Sequence, residues 1–284
     1  MNDSLADLHI HTVYSDGIDT PEEIVSLSES SGLKIISITD HDTVDAYLQQ
    51  DIISFASKNN IEIIPGIEFS ADYATKDNKN IEVHILGYFI DLLHPSIRKY
   101  CEEYQNMRYE RAKSIIQKLN SMNVHLKMED LNKEVKKDIY GRLHIAQALV
   151  KKGFVCSLKE AFKRFIGYNA PAFIPKKQRN TIDIIRIIKE SGGVSIIAHP
   201  GLQGIETELA KLKNIGIDGV EVFHPDHSYA ITQRLLEEAK RYSLLITGGS
   251  DYHGTNKEKL PLGCSNYSVE YAQRLKEAHI AEHH

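Results

Sequence analysis

The sequence predicts an α/β fold built on seven strands, close to the eightfold barrel but one strand short of it. Three observations carry this. Short apolar runs alternate with amphipathic helical patterns through most of the 284 residues, the pattern of a parallel sheet or barrel. Seven such runs occur. The alternation stops between about Pro95 and Ile174, where only helical patterns are found, so an insert follows the fourth strand. The expected organisation is a discontinuous body, 1–94 with 175–280, and a mainly helical insert, 95–174.

The strands follow in order as LADLHIH, KIISITD, IEIIPGIEF, IEVHILGY, GVSIIAHP, GVEVF and LLITGGSD. Between the first two, TPEEIVSLSESSG reads as a helix. Thr20 is its N-cap, Pro21 its first helical residue, the first turn is acidic and Gly32 is the stop. TIDIIRIIKESGG repeats the device with Thr181 and Gly192. Within the insert, Ser157 and Glu160 have capping-box spacing.

Composition excludes several classes. The chain is 42% hydrophobic and 26% charged, as globular domains are, and its net charge of −5 is too mild to imply a partner. No apolar run approaches the roughly 18–20 residues of a membrane span. The first residues carry neither a basic segment nor an apolar one, so no secretory leader is expected. Cys101, Cys156 and Cys264 are widely spaced and form no CxxC pair, which fits a reducing, cytoplasmic setting. No obligate protein partner is evident. His283 and His284 fit a purification tag as well as a native end. Charge is uneven: 141–180 holds nine Lys/Arg against one acid, and 95–140 holds ten against seven, so the strand–helix body is strongly acidic.

The chemistry lies at the strand ends. In DLHIHTVYSDG, His9 and His11 sit two residues apart on a strand and project to one face. Further along come Asp16, Asp40, His41, Asp42, Glu68, His84, His199, Glu221, His224, Asp251 and His253. In α/β barrels the C-terminal strand ends share one mouth, so these side chains are expected to converge. A lone strand-end histidine is most often a hydrogen-bonded structural residue, and His84 alone would be read so. The HxH and DxH pairs at opposite ends of the chain, with TDHD, GIEFS and AHPG between, do not fit that reading as a set.

Imidazole plus carboxylate without thiolate suits Zn²⁺, Mn²⁺ or Fe. Nine candidate ligands exceed what one ion takes. Two or three divalent ions would use them, with Glu68 as the bridge. Ions about 3.5–4 Å apart clamp the attacking and leaving oxygens of a phosphoryl displacement, so phosphoester hydrolysis leads. Several neighbours have open roles. Tyr14 and Ser15 could touch substrate or shape a loop. Asp40 or Asp42 could orient His41, and His224 and His227 could orient ligands or hold their loop. The glycines of LITGGSD could bring backbone close to the metals. Cys264 has no evident role.

DLHIHTVYSDG, ITDHDTV, GIEFSA, VHILGY, IIAHPG and GGSDYHG resemble the motifs of the polymerase and histidinol phosphatase (PHP) superfamily. The resemblance implies a distorted seven-stranded (β/α)7 TIM-like barrel with a trinuclear metal centre. It places one ion on His9, His11, Glu68 and Asp251, a second on Glu68, His84 and His199, and a third on Asp16, His41 and His253. GRLHIAQALV, AFKRFIGYNAPAFIPK and VEVFHPDHS are similar to the small PHP phosphoesterases that remove the 3′-phosphate from nucleoside 3′,5′-bisphosphates. Some of that group also degrade short RNA from the 5′ end. The resemblance implies that the insert covers the active site, with Arg142 and His144 facing the metals. Leu143 stands where the pattern often has Pro, with little effect expected.

The expected substrate is thus a small phosphorylated molecule, a nucleotide or short oligoribonucleotide. Arg142, Lys176, Lys177 and Ser15 are its candidate contacts, and His224 is a further catalytic candidate beside Arg142 and His144. Hydrolysis is expected without a covalent enzyme intermediate, His199 or His224 assisting the leaving group. The alternative is histidinol phosphate or another small phosphomonoester; a more remote one is an inactive metal-binding module. Phe162, Phe165, Tyr168 and Phe173 read mainly as insert core, with one or two available to stack on substrate.

Overall fold

The computed structural model describes residues 5–48, 51–131, 140–254 and 261–282. His283 and His284 lie outside them. The chain forms two compact units, one of 1–98 with 178–284 and one of 99–177.

Among the described residues the first unit carries nine strands: β1 (Leu5–Ile10), β2 (Leu33–Ile38), β3 (Glu62–Ile63), β4 (Gly66–Ala74), β5 (Asn80–Tyr88), β6 (Arg179–Asn180), β7 (Val194–Ile197), β8 (Gly219–Phe223) and β9 (Leu245–Gly248). They make a three-stranded sheet, β1-β2-β3, and a six-stranded sheet, β6-β4-β5-β7-β8-β9. Helices Pro21–Ser30, Thr181–Glu190 and Tyr229–Arg241 link successive strands. β1 and β7 are buried along nearly their whole length, as strands covered on both faces are. Ala6, Leu8, Ile35, Leu86, Tyr88 and Ile196 share one core.

Three features differ from the expected single parallel barrel. Among the described residues the ladders form two sheets and no closed barrel. Isolated bridges, Ile10 to Tyr252 and His41 to Glu68, join them at two places. β5 runs antiparallel to both β4 and β7. The β4–β5 connection is only 75–79, closed by Thr75 N–H donating to the Lys79 carbonyl at 2.8 Å, and so short a loop can join only antiparallel strands. The run IEIIPGIEF divides into β3 and β4 around Ile64 and Pro65, because proline cannot donate to a ladder.

The local signals behave as their chemistry requires, with one shift. Thr20 and Glu23 form a capping box, and Gly32 and Gly192 both take φ +76° after their helices, the left-handed stop glycine adopts freely. The helix at 181–190 is capped by Asn180, whose side chain accepts from Asp183 N–H. Thr181 instead donates its hydroxyl to the Asp72 carbonyl at 2.9 Å.

The second unit is helical: the later part of Pro95–Ser121, then Met128–Leu131, Arg142–Lys151, Leu158–Ala161 and a π-helical turn Phe162–Ile166. Its own core gathers Ile115, Leu119, Leu126, Ile145, Leu149 and Ile166, with Phe162 and Phe165 packed against it. No helix among the described residues is long and apolar enough to cross a membrane.

Candidate metal centre

Five strands of the first unit deliver candidate ligands, not all from their ends: Glu68 is the third residue of β4 and His84 the middle one of β5. β1 contributes His9 and leads into His11, β4 contributes Glu68, β5 His84, and β7 and β9 lead into His199 and Asp251. Glu68 is wholly buried. Its Oε1 lies 2.8 Å from His84 Nδ1 and 3.1 Å from His199 Nε2. Its Oε2 lies 2.9 Å from His41 Nδ1, 3.3 Å from His11 Nε2 and 3.4 Å from His9 Nε2. Asp251 Oδ1 is 3.1 Å from His11 Nε2 and 3.5 Å from His9 Nε2. Asp16 Oδ1 is 3.2 Å from His253 Nε2, and its other oxygen is 3.9 Å from His41 Nε2.

Buried polar atoms without hydrogen bonds are costly and rare, yet here they cluster. His9 Nε2, His11 Nε2, His41 Nδ1 and Glu68 Oε2 are buried and, despite approaches as short as 2.9 Å, make no hydrogen bond of proper geometry. Cations placed between them would satisfy all four. Among the described residues four overlapping groups have donor atoms within 4.8 Å of one another: His11, Asp16, His41 and His253; His9, His11 and Asp251; His9, Glu68 and His199; His41, Glu68 and His84. The residues therefore fit divalent ions. They divide less cleanly than three separate sets, since His11 reaches the Asp16 group and His41 the Glu68 group.

Partners on the opposite ring nitrogens sort the histidines. His9 Nδ1 lies 2.9 Å from Glu221 Oε1, and His253 Nδ1 lies 2.7 Å from the Asp251 carbonyl. Both nitrogens must donate, which in the neutral ring leaves the lone pair on Nε2. His11 Nδ1 is 3.4 Å from Ser15 Oγ, which gives its own hydrogen to Asp40 at 2.5 Å and so accepts from the ring. His224 is the reverse. Its Nδ1 accepts from Asp226 N–H at 3.1 Å, so the neutral ring carries its hydrogen on Nε2, a buried atom 3.8 Å from Asp251 Oδ2.

The cluster also shifts protonation. Burial opposes charge on His11, but Asp251 and Glu68 outweigh it and push the ring up to about 10. Burial likewise opposes charge on His9, and Glu221, Glu68 and Asp251 raise it well above its ordinary value. Burial would raise Glu68, yet the rings of His41, His84 and His9 hold it well below the usual carboxylate range. Near pH 8, above the ordinary histidine value of about 6.5, metal-free His11 still holds its proton, whereas a ligand must release it. Adding Mn²⁺ to metal-free protein at pH 8 in weak buffer should release protons. The part of the release that comes from His11 should fade as pH rises past about 10. A pH-indicator titration with no release would contradict this charge state.

The remaining candidates fall in varied places. Asp40 accepts from Thr12 N–H at 2.7 Å, Thr12 Oγ1 at 2.6 Å and Ser15; Asp42 accepts from Ser70. Neither orients His41, whose two nitrogens face Glu68 and Asp16. His227 uses both nitrogens on backbone, at Val222 and Gly201, and holds its loop. Tyr14 is buried. In the second unit, Arg142 lies over the rings of Phe162 and Phe173 at 5.8 and 5.6 Å. His144 Nδ1 accepts from Gly141 N–H at 3.1 Å. Lys176 Nζ stands 5.6 Å from the Tyr104 ring, Lys177 is exposed, and Tyr168 is 81% exposed.

Three contributors carried no specific role in the sequence. Glu221 binds His9, the Gln203 amide lies 2.7 Å from His199 Nδ1, and Asp7 accepts from Ser250 and Gly263 N–H. Glu221 follows the strand-end pattern; nothing in the sequence pairs Gln203 or Asp7 with the site.

Comparison with known proteins agrees with this geometry. The PHP domain family model matches residues 7–184. A 5′-3′ exoribonuclease of Haemophilus influenzae is 30% identical over 87% of this chain and 89% of its own. A phosphoribosyl 1,2-cyclic phosphate 1,2-diphosphodiesterase of Eggerthella lenta is 28% identical over 88% and 94%. A 3′,5′-nucleoside bisphosphate phosphatase of Chromobacterium violaceum is 25% identical over 87% and 86%. A solved structure from Bifidobacterium adolescentis, assigned as a metal-dependent phosphoesterase, superposes with a TM-score of 0.81 at 29% identity, covering 96% of this chain and 95% of that one.

Proposed function

The chain belongs to the PHP domain family, and from that premise we propose that it removes the 3′-phosphate from nucleoside 3′,5′-bisphosphates, with 5′-to-3′ degradation of short RNA as a companion activity. Its reaction class is metal-dependent phosphoester hydrolysis. One observation carries the chemistry: a wholly buried Glu68 with five imidazoles around its two oxygens.

Two or three ions of Mn, Zn or Fe on the nine residues named above would supply Lewis acidity and lower the pKa of a water nucleophile. The protein's part is to hold acceptors and donors in place without further adjustment. Glu221, Ser15 and the Asp251 carbonyl fix the tautomers of His9, His11 and His253. His224 offers Nε2–H as the donor to the departing oxygen. Arg142, already packed on two aromatic faces, is assigned to a substrate phosphate, which its planar fork can bind bidentately. Lys176, Lys177 and His144 are secondary candidates. The nucleotide preference is supported by the basic stretch 141–180 and by the activities named for two relatives. A cytoplasmic setting is proposed with it, on the cysteine pattern.

Turnover by Mn²⁺-loaded protein tests this reading, followed as phosphate release from adenosine 3′,5′-bisphosphate and histidinol phosphate, as mononucleotides freed from 5′-phosphorylated short RNA, and as the ring-opened product of a ribose 1,2-cyclic phosphate. Preference for the bisphosphate or RNA supports it. Preference for the cyclic diester or histidinol phosphate keeps the hydrolase and overturns the substrate. Arg142→Ala should raise KM for the bisphosphate about tenfold or more, the loss of a charged hydrogen bond of roughly 1.5–3 kcal/mol. Metal content should be unchanged; metal loss in that variant would refute the assignment.

A further inference from the structure

Glu221, on β8, touches neither Asp16 nor Glu68 in the pattern above, yet it reaches two candidate ligands from different strands. It is wholly buried. Oε1 accepts from His9 Nδ1 at 2.9 Å, and Oε2 accepts from the backbone N–H of His199 at 2.7 Å. The second contact falls on a residue at φ +27° and ψ +55°, a left-handed conformation that a non-glycine residue keeps only where its surroundings impose it. His9 and His199 also share one donor group, with Glu68, and their rings stack at 5.5 Å.

We propose that Glu221 is a positioning residue that assembles the His9–Glu68–His199 metal position. One oxygen fixes the His9 tautomer so that the Nε2 lone pair faces the ion. The other holds the strained His199 backbone so that Nε2 of that ring points at Glu68. Each oxygen has its own task, so one carboxylate sets both ligands together. Carboxylates behind metal-bound histidines commonly contribute 10–100-fold to affinity. The inference rests on the metal-dependent chemistry and not on the choice of substrate.

Glu221→Gln is the discriminating variant. Its amide keeps the size of the carboxylate but has one oxygen for two donors, so either His9 Nδ1–H or His199 N–H faces an NH₂ group. Metal binding is measured by titration against a competing chelator, with elemental analysis of occupancy. Mn²⁺ affinity at one position should fall 10–100-fold while the others hold, kcat should drop, and KM should stay within twofold. ¹⁵N NMR of the Zn²⁺-loaded wild type should show His9 protonated at Nδ1 and not at Nε2. Equal weakening at every position would mean a general loss of packing, and unchanged affinity would mean no positioning role. Either overturns the proposal. If Glu221→Gln does not fold, Glu221→Asp is read in the same way, and a wild-type His9 unprotonated at Nδ1 overturns the proposal by itself. Because metal affinity is read without substrate, a failed nucleotide assay leaves the result standing.

Discussion

Glu68→Ala should lower phosphate release by about 10³-fold or more, a loss of at least ~4 kcal/mol in transition-state stabilisation, and should leave a folded protein that binds fewer ions. Glu68 is the one carboxylate shared by the His9, His11, His41, His84 and His199 rings, so no neighbour can take its place. The change also withdraws the negative charge that helps raise His9 and His11. Those rings should then lose their protons at lower pH, and proton release on metal binding should shrink. Far-UV circular dichroism should remain that of the parent, since the side chain is ringed by polar groups and not by the apolar core. Unchanged ion stoichiometry with activity within tenfold of wild type would remove Glu68 from the centre.

The second large effect needs no ligand to be touched. Gly249→Ala should cost about 1–3 kcal/mol of stability, as overpacking does, and more than 100-fold in activity. A Cβ at Gly249 would stand 2.5 Å from His9 N and 2.8 Å from His9 Cα. These are backbone atoms, so no side-chain rotation relieves the clash. β9 must move from β1, and the shift carries His9 away from Asp251, which lies at φ +51° two residues beyond Gly249. Metal affinity and melting temperature should fall together. A variant with normal Tm and full metal content would show that the strands can separate without cost to the site.

The nine ligand candidates were legible because strand periodicity puts His9 and His11 on one face and strand ends share a mouth. Spacing alone reaches that far. It could not show that Ser15 gives its hydrogen to Asp40, or that His224 accepts through Nδ1 where His9 donates, since tautomers depend on partners remote in sequence. Glu221 stood in view as a strand-end acid, but its hold on His199 depends on a backbone bond made 22 residues away. The reversed β5 was implied by the short Thr75–Lys79 connection; alternation with helices elsewhere masked it. Asn180 was overlooked because Thr181, beside it, is an equally good cap.

The bridge between Ile10 and Tyr252 also bears on how the protein is born. The donors run from His9 to His253 along the chain. At synthesis rates of roughly 5–20 residues per second, His9 waits on the order of 10–50 s on the ribosome before its last companions exist. A nascent chain can fold early helices and the β4–β5 hairpin in that time, but Asp251 and His253 come 242 and 244 residues after His9. A cation site that needs Asp251 or His253 can therefore form only after those residues are made, and a chain broken before them lacks these donors.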